Sequence, residues 1–262
     1  MRGVKLMAGL CVSGSIAHAQ LHAGDIVIGL EDQRITTAAQ VSGVVELDRV
    51  FTGLFGAEGF ADFTNNPGFD SFAGTWASGT VIGFDIVGAV KRWAPDASHF
   101  YSTANERISI RKGGLRTDSP LDDVTVAGFA FGDANTSGTF HHHVNFWLID
   151  GETPNADGVW LLGLRLWSET AAIQDSEEFW IVYGQGTHEV FMDEAVQWVR
   201  DHLIGEPCPA DFNGDGILDF FDVSAFLAAF SAQHASADMN GDGVFDFFDV
   251  QMFLGAFAAG CP

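Results

Sequence analysis

The sequence predicts a mostly β, β-sandwich-like N-terminal domain closed by one helix, followed by a small all-α domain. Three observations carry this expectation. Short apolar or alternating runs recur from Ile26 to Tyr183, separated by Gly, Asp, Asn and Pro turns. Residues 189–203 then switch to helical spacing. Residues 208–262 contain a duplicated segment whose apolar positions also follow a helical period.

The chain begins with a processing signal. Arg2 and Lys5 give a positive start, residues 6–16 form a short apolar run, and Ala17-His18-Ala19 offers a cleavage site before Gln20. Residues 1–19 are expected to leave as a signal peptide. The product is then secreted and extracellular, with the cell surface as a further location. The run is too short for a permanent membrane anchor, and no transmembrane segment is expected later. The formal charge of −23 becomes two units more negative once Arg2 and Lys5 are lost. Such a surface repels nucleic acid and anionic membranes, and favours divalent cations or basic surfaces.

The β-rich domain is expected over 20–204. Residues 26–30 read as a short apolar strand, and 107–111 and 124–129 alternate. In 141–148, His142, Val144, Phe146 and Leu148 share one face of a strand, and His141, His143, Asn145 and Trp147 the other. Residues 160–167 and 179–183 are two further strands, with Asn155-Ala156-Asp157-Gly158 as a turn between β segments. With 24 Phe against 2 Tyr, most aromatic rings are expected to fill cores. In the helix, Ala195, Trp198, Val199 and Leu203 share a face. Acidic Glu189, Asp193 and Glu194 come early and Arg200 and His202 late, as the helix dipole favours. Gly205-Glu206-Pro207 breaks it and forms a short hinge before 208–262.

The duplicated segment carries the clearest chemistry. Asp211-Phe212-Asn213-Gly214-Asp215-Gly216-Ile217-Leu218-Asp219-Phe220-Phe221-Asp222 is matched by Asp238-Met239-Asn240-Gly241-Asp242-Gly243-Val244-Phe245-Asp246-Phe247-Phe248-Asp249. Calcium takes six to eight oxygen ligands, and a loop supplies them from positions 1, 3, 5, 7, 9 and 12. Here these are Asp211, Asn213, Asp215, the Ile217 carbonyl, Asp219 and Asp222, then Asp238, Asn240, Asp242, the Val244 carbonyl, Asp246 and Asp249. Gly216 and Gly243 occupy position 6, where the chain turns sharply. Position 12 is Asp rather than Glu, which demands a tighter loop. No Lys or Arg occurs between 208 and 262, so two Ca²⁺ are the expected counter-charge. Each loop runs into an apolar helix, with Val223, Phe226, Leu227 and Phe230 matched by Val250, Phe253, Leu254 and Phe257.

Cys208 and Cys261 flank the repeat, an even number in an oxidising compartment, and are expected to form a disulfide. Closing so long a loop contributes about 2–4 kcal/mol in the chain-entropy account.

A duplicated calcium loop with an exit helix, bounded by Cys208-Pro209 and Gly260-Cys261-Pro262, resembles a type I dockerin, in a Cys-flanked form found at the C-termini of secreted bacterial proteins. The resemblance covers 208–262. It implies a module that attaches its protein to a partner, a cohesin-type domain in cellulosomes, or to another surface protein. Cellulosomal dockerins often place small hydroxyl residues just before the last ligand, with basic residues beyond. This chain has Phe220-Phe221 and Phe247-Phe248 there and no basic residue. Calcium binding carries over residue by residue; cohesin binding does not.

In the β-rich domain the best candidate site is the histidine strand. His141 and His143 point to one face and could share a metal, with His22 or His188 as a further ligand. The pattern His141-x-His143-x-Asn145-Phe146, followed by paired apolar strands, also resembles bacterial choice-of-anchor surface domains, some of them linked to metal uptake. No Gly-x-Ser-x-Gly elbow, phosphate loop or catalytic cysteine is apparent. Asp122-Asp123 and Glu177-Glu178 are acid pairs, but sequence adjacency does not place carboxylates across a scissile bond. Tryptophans such as Trp147, Trp160, Trp167 and Trp180 would suit carbohydrate if exposed. The sequence thus favours a non-catalytic binding protein attached through its calcium module. A polysaccharide-acting enzyme and a metal-handling surface protein are the alternatives.

Overall fold

The computed structural model describes residues 21, 24–103, 105–151, 156–204, 209–210, 212, 218 and 220–260. In chain order the strands are β1 (Ile26–Glu31), β2 (Arg34–Val41), β3 (Val44–Leu47), β4 (Val50–Leu54), β5 (Phe63–Thr64), β6 (Phe69–Asp70), β7 (Val81–Ala94), β8 (His99–Ser102), β9 (Arg107–Lys112), β10 (Leu115–Asp118), β11 (Thr125–Asp133), β12 (His141–His142), β13 (Asn145–Ile149), β14 (Gly158–Ser168) and β15 (Phe179–Gln185). The α-helices are α1 (Met192–His202), α2 (Phe220–Ser231) and α3 (Phe247–Ala259).

The strands form three sheets, ordered β12-β6-β1-β2-β3, β10-β9-β13-β5 and β11-β7-β14-β15-β4, with β8 added to β7 in the last. Local hairpins set much of this. Asp32 and Gln33, both at positive φ, form the two-residue turn joining β1 to β2, and Ser42 and Gly43 do the same for β2 and β3. Two successive left-handed residues match the right-handed twist of the flanking strands. Other neighbours come from far along the chain. β6 lies parallel to β1, and β4 parallel to β15.

The third sheet is the middle layer. Along β14, Trp160, Leu162, Leu164 and Leu166 point into one core, shared with Ile26, Ile28, Ile35 and Phe69 of the first sheet and Ile108, Ile110 and Phe146 of the second. The alternate residues Val159 and Leu161, with Val182 of β15, face the other way and pack against Met192, Ala195 and Val199 of α1. A strand buried on both faces must be apolar at nearly every position, which is why 158–164 reads as an unbroken apolar run. The expected sandwich is therefore three sheets around one core, with a helix on the far side of the largest.

Helix α1 starts later than the spacing predicts. A 3-10 helix, Gly186–Phe191, precedes it, and Phe191 at the N-cap has no side-chain oxygen to bond the free amides. Burial of Ala195 and Val199 instead ties the helix to the sheet.

The C-terminal expectation needs correction. Among the described residues the protein is mostly β, with 41% in strands and three α-helices, and the small all-α domain is not seen. α2 and α3 form, and Phe226 stacks on Phe253 with ring centroids 4.1 Å apart. Around them Ala210 and Ala237 complete a small buried cluster. The chain between the helices is irregular apart from a 3-10 turn, Ala235–Ala237. Asp, Asn and Gly fill six of the nine positions 238–246, and Gly241 and Gly243 take positive φ, so the loop cannot propagate a helix. Residues 1–20 and both Cys208 and Cys261 lie outside the described residues, so the cleavage site and the disulfide do too.

Tyr183 of β15 is fully buried, stacked on Phe55 at 4.8 Å, and its hydroxyl has no hydrogen-bond partner among the described residues. Burial, and then the nearby Glu58 carboxylate, push its pKa well above the ordinary tyrosine value, so it stays neutral. Tyr183→Phe keeps the ring and removes only a desolvated hydroxyl. Urea unfolding should therefore show stability unchanged within about 1 kcal/mol, or raised. A loss of more than about 2 kcal/mol would show that the hydroxyl is bonded.

Candidate metal centres

The histidine strand is not one strand. β12 pairs with β6 in the first sheet and β13 with β9 in the second, and His143 and Val144 cross between the two. Alternation survives the crossing. His141 and His143 lie on one side, rings 5.2 Å apart, while Val144 and Phe146 turn into the core.

The crossing delivers both rings to two buried acids. The His143 Nε2 lies 3.5 Å from Asp25 Oδ2, and His141 Nδ1 lies 3.5 Å from Asp70 Oδ2. Asp25 precedes β1 and Asp70 ends β6; in the parallel β1–β6 register Asp70 pairs with Val27, two residues on from Asp25, so the two carboxylates fall on the same face. Each acid is anchored through its other oxygen. Asp25 Oδ1 accepts from the Gly68 amide and Asp70 Oδ1 from the Ser71 amide, both at 2.8 Å. His143 Nδ1 lies 2.9 Å from the Asn65 carbonyl oxygen, a contact that places the ring proton on Nδ1 and leaves Nε2 as the donor atom for a ligand. One donor atom each from Asp25, His141 and His143 all lie within 4.8 Å of one another. Among the described residues no other three His, Cys, Asp or Glu side chains come so close.

Neither acid was apparent in the sequence. Their approach depends on a parallel pairing of distant segments, and no spacing along the chain encodes it. His188 stands elsewhere, 3.9 Å from Asp157, and His22 lies outside the described residues. His142 points the opposite way, over Gly132, with Lys112 Nζ 3.1 Å from its Nδ1. Burial above all, and then the Lys112 charge, lower its pKa, which favours the neutral ring.

In the second C-terminal loop the predicted oxygens wrap the chain back on itself. Asp238 accepts from the Asp242 and Gly243 amides at 3.1 and 2.9 Å, and Asn240 Oδ1 from the Asp242 amide at 2.9 Å. Asp242 accepts from Val244 at 2.8 Å. Asp249 reaches across the loop, Oδ1 to the Met239 amide and Oδ2 to the Asp246 amide, each at 2.9 Å. Asp246 caps α3 through the Phe248 amide. Asp249 and its counterpart Asp222 are both fully buried. Of the first loop's ligands only Asp222 is described; Asp211, Asn213, Asp215, Ile217 and Asp219 lie outside the described residues.

Among the described residues no exposed tryptophan offers a sugar-stacking platform. Trp76, Trp93 and Trp160 are buried and the other tryptophans are half-buried. Arg49, Arg92 and Arg111 cover Trp180, Trp160 and Trp147. A cleft of about 580 Å³ carries Asp48 and Glu177, but Arg200 and Arg49 pair with them at 2.8 and 2.9 Å, and no Trp lines it. Asp123 accepts from the Ala89 amide.

Gly68 is what allows His143 to lie flat on the backbone beside Asp25. A Cβ there would sit 2.4 Å from the imidazole. Gly68→Ala should displace the ring and cost about 1–3 kcal/mol by overpacking. Chemical denaturation, with the His143 ring shifts read by NMR, checks this; an unmoved ring and unchanged stability would contradict the packing described. No protein-family model matches this chain and no curated protein is similar to it, so its function is argued from these residues and their geometry.

Proposed function

We propose that this is a secreted calcium-binding protein whose C-terminal repeat holds two Ca²⁺ and attaches the β-rich body to a partner protein or surface. The observation that carries the reading is the burial of Asp222 and Asp249 at equivalent places in the two repeats, in a segment with no Lys or Arg. A carboxylate withdrawn from water is costly unless a cation or several donors compensate it. Amide bonds supply part of this at Asp249, and a hard divalent cation among Asp238, Asn240, Asp242, the Val244 carbonyl, Asp246 and Asp249 would supply the rest. The donor set fits: every predicted side-chain ligand bears oxygen, and Gly243 at φ 79° provides the turn.

Calcium would neutralise the loops and hold α2 and α3 against each other through the Phe226–Phe253 stack. Phe220, Phe221, Phe247 and Phe248 at the helix starts are exposed, and so are available to a partner.

The test uses the whole mature chain, stripped with a chelator and then titrated with Ca²⁺. The wild type should bind two ions and gain stability, about 2.7 kcal/mol per site at one hundred times the dissociation constant. Asp242→Ala should bind one. On cells, chelation should release the chain from the surface fraction. Unchanged stability with no ion bound would overturn the calcium assignment, and retention on cells after chelation would overturn attachment through it.

A further inference from the structure

We propose that Asp25, His141 and His143 form a binding site for one borderline transition-metal ion, Zn²⁺ being the natural probe, independent of the C-terminal calcium loops. Three features carry this: the distances, the donor types and the way each donor is held.

Zinc binds imidazole nitrogen and carboxylate oxygen at about 2.0–2.2 Å, so neighbouring donors in a tetrahedral site stand about 3.4 Å apart. The separation of His143 Nε2 from Asp25 Oδ2 is 3.5 Å, and the His141 donor completes a triangle with no side above 4.8 Å. Two imidazoles and one carboxylate select zinc-like ions over Ca²⁺ or Mg²⁺, which prefer oxygen alone.

The outer contacts are those of a metal site as well. Metal-bound histidines commonly use their second nitrogen on a carbonyl or carboxylate, which fixes ring orientation. His143 Nδ1 has the Asn65 carbonyl at 2.9 Å, and the Asp70 carboxylate stands 3.5 Å from His141 Nδ1. Glu58 in turn fixes the 64–66 segment, accepting from the Thr64 hydroxyl at 3.0 Å and the Asn66 amide side chain at 2.9 Å. Asp25 is steadied by the Gly68 amide. The acids are at the closed end, with side chains 3% and 5% exposed, while His141 at 39% forms an open rim through which an ion can enter. Three protein ligands leave a further position for water or a ligand.

The experiment is titration calorimetry of Zn²⁺ into the whole mature chain, with excess Ca²⁺ present to occupy the C-terminal loops. One Zn²⁺ should bind with submicromolar affinity. Asp25→Asn, His141→Ala and His143→Ala should each weaken it by about 100-fold or more. His202→Ala, on an exposed part of α1, should leave it unchanged and so controls for adventitious histidine binding. His141 sits at the exposed rim, so its variant should fold even where His143→Ala does not; circular dichroism and the unfolding midpoint check this. Co²⁺ should give visible bands of low-coordinate geometry that His141→Ala abolishes. Wild-type affinity no tighter than that of His141→Ala, or equal loss in His202→Ala, would overturn the site.

Discussion

The structure depends on one strand being buried on both faces. β14 has a core shared by three sheets on one side and the α1 packing on the other, so water is excluded from nearly every residue of 158–164. Burial of an apolar side chain is worth about 1.5–3 kcal/mol. Concentrated on one strand and its neighbours β7 and β15, that gain fixes the register of the middle sheet. The first and second sheets then close over its inner face, and their meeting line is where 141–149 passes from one to the other. The histidine cluster lies on that line, held by the core beneath it rather than by a flexible loop.

This explains what the sequence did and did not reveal. β14, β15, β9 and α1 were legible because each has a clean period or an unbroken apolar run. β7, the longest strand, was not. Gly83, Asp85 and Gly88 interrupt its pattern, and each has a reason only the assembled sheet supplies. Trp167 lies over Gly83, Asp85 bonds Arg165 and the Trp167 indole, and Gly88 takes φ 73° beside a register shift against β14. The His141 and His143 pairing was legible from strand alternation, although the single strand assumed for it is two. Asp25 and Asp70 were not, because a parallel contact between β1 and β6 has no local signature. At the C-terminus the helical periods of α2 and α3 were sound, but the intervening Asn-Gly-Asp-Gly chemistry keeps the segment from being an all-α domain.

Two kinds of metal chemistry are thus proposed for different parts of one anionic chain. The C-terminal oxygens suit a hard cation that organises two short helices. The His–Asp cluster suits a softer ion on a preformed surface, where Gly68, Asn65 and Ser71 hold the ligands or their partners. The separation is chemical before it is spatial: nitrogen donors are confined to one site and all-oxygen donors to the other.

Diffraction from crystals of the mature chain grown with Ca²⁺ and Zn²⁺ tests the account most directly, with anomalous scattering recorded on both sides of the zinc absorption edge. The account predicts an edge-dependent peak among Asp25, His141 and His143, and edge-independent peaks within the two C-terminal loops. Empty loops in well-ordered density would contradict the calcium assignment, and an edge-dependent signal elsewhere on the surface, with none at the histidines, would contradict the second site.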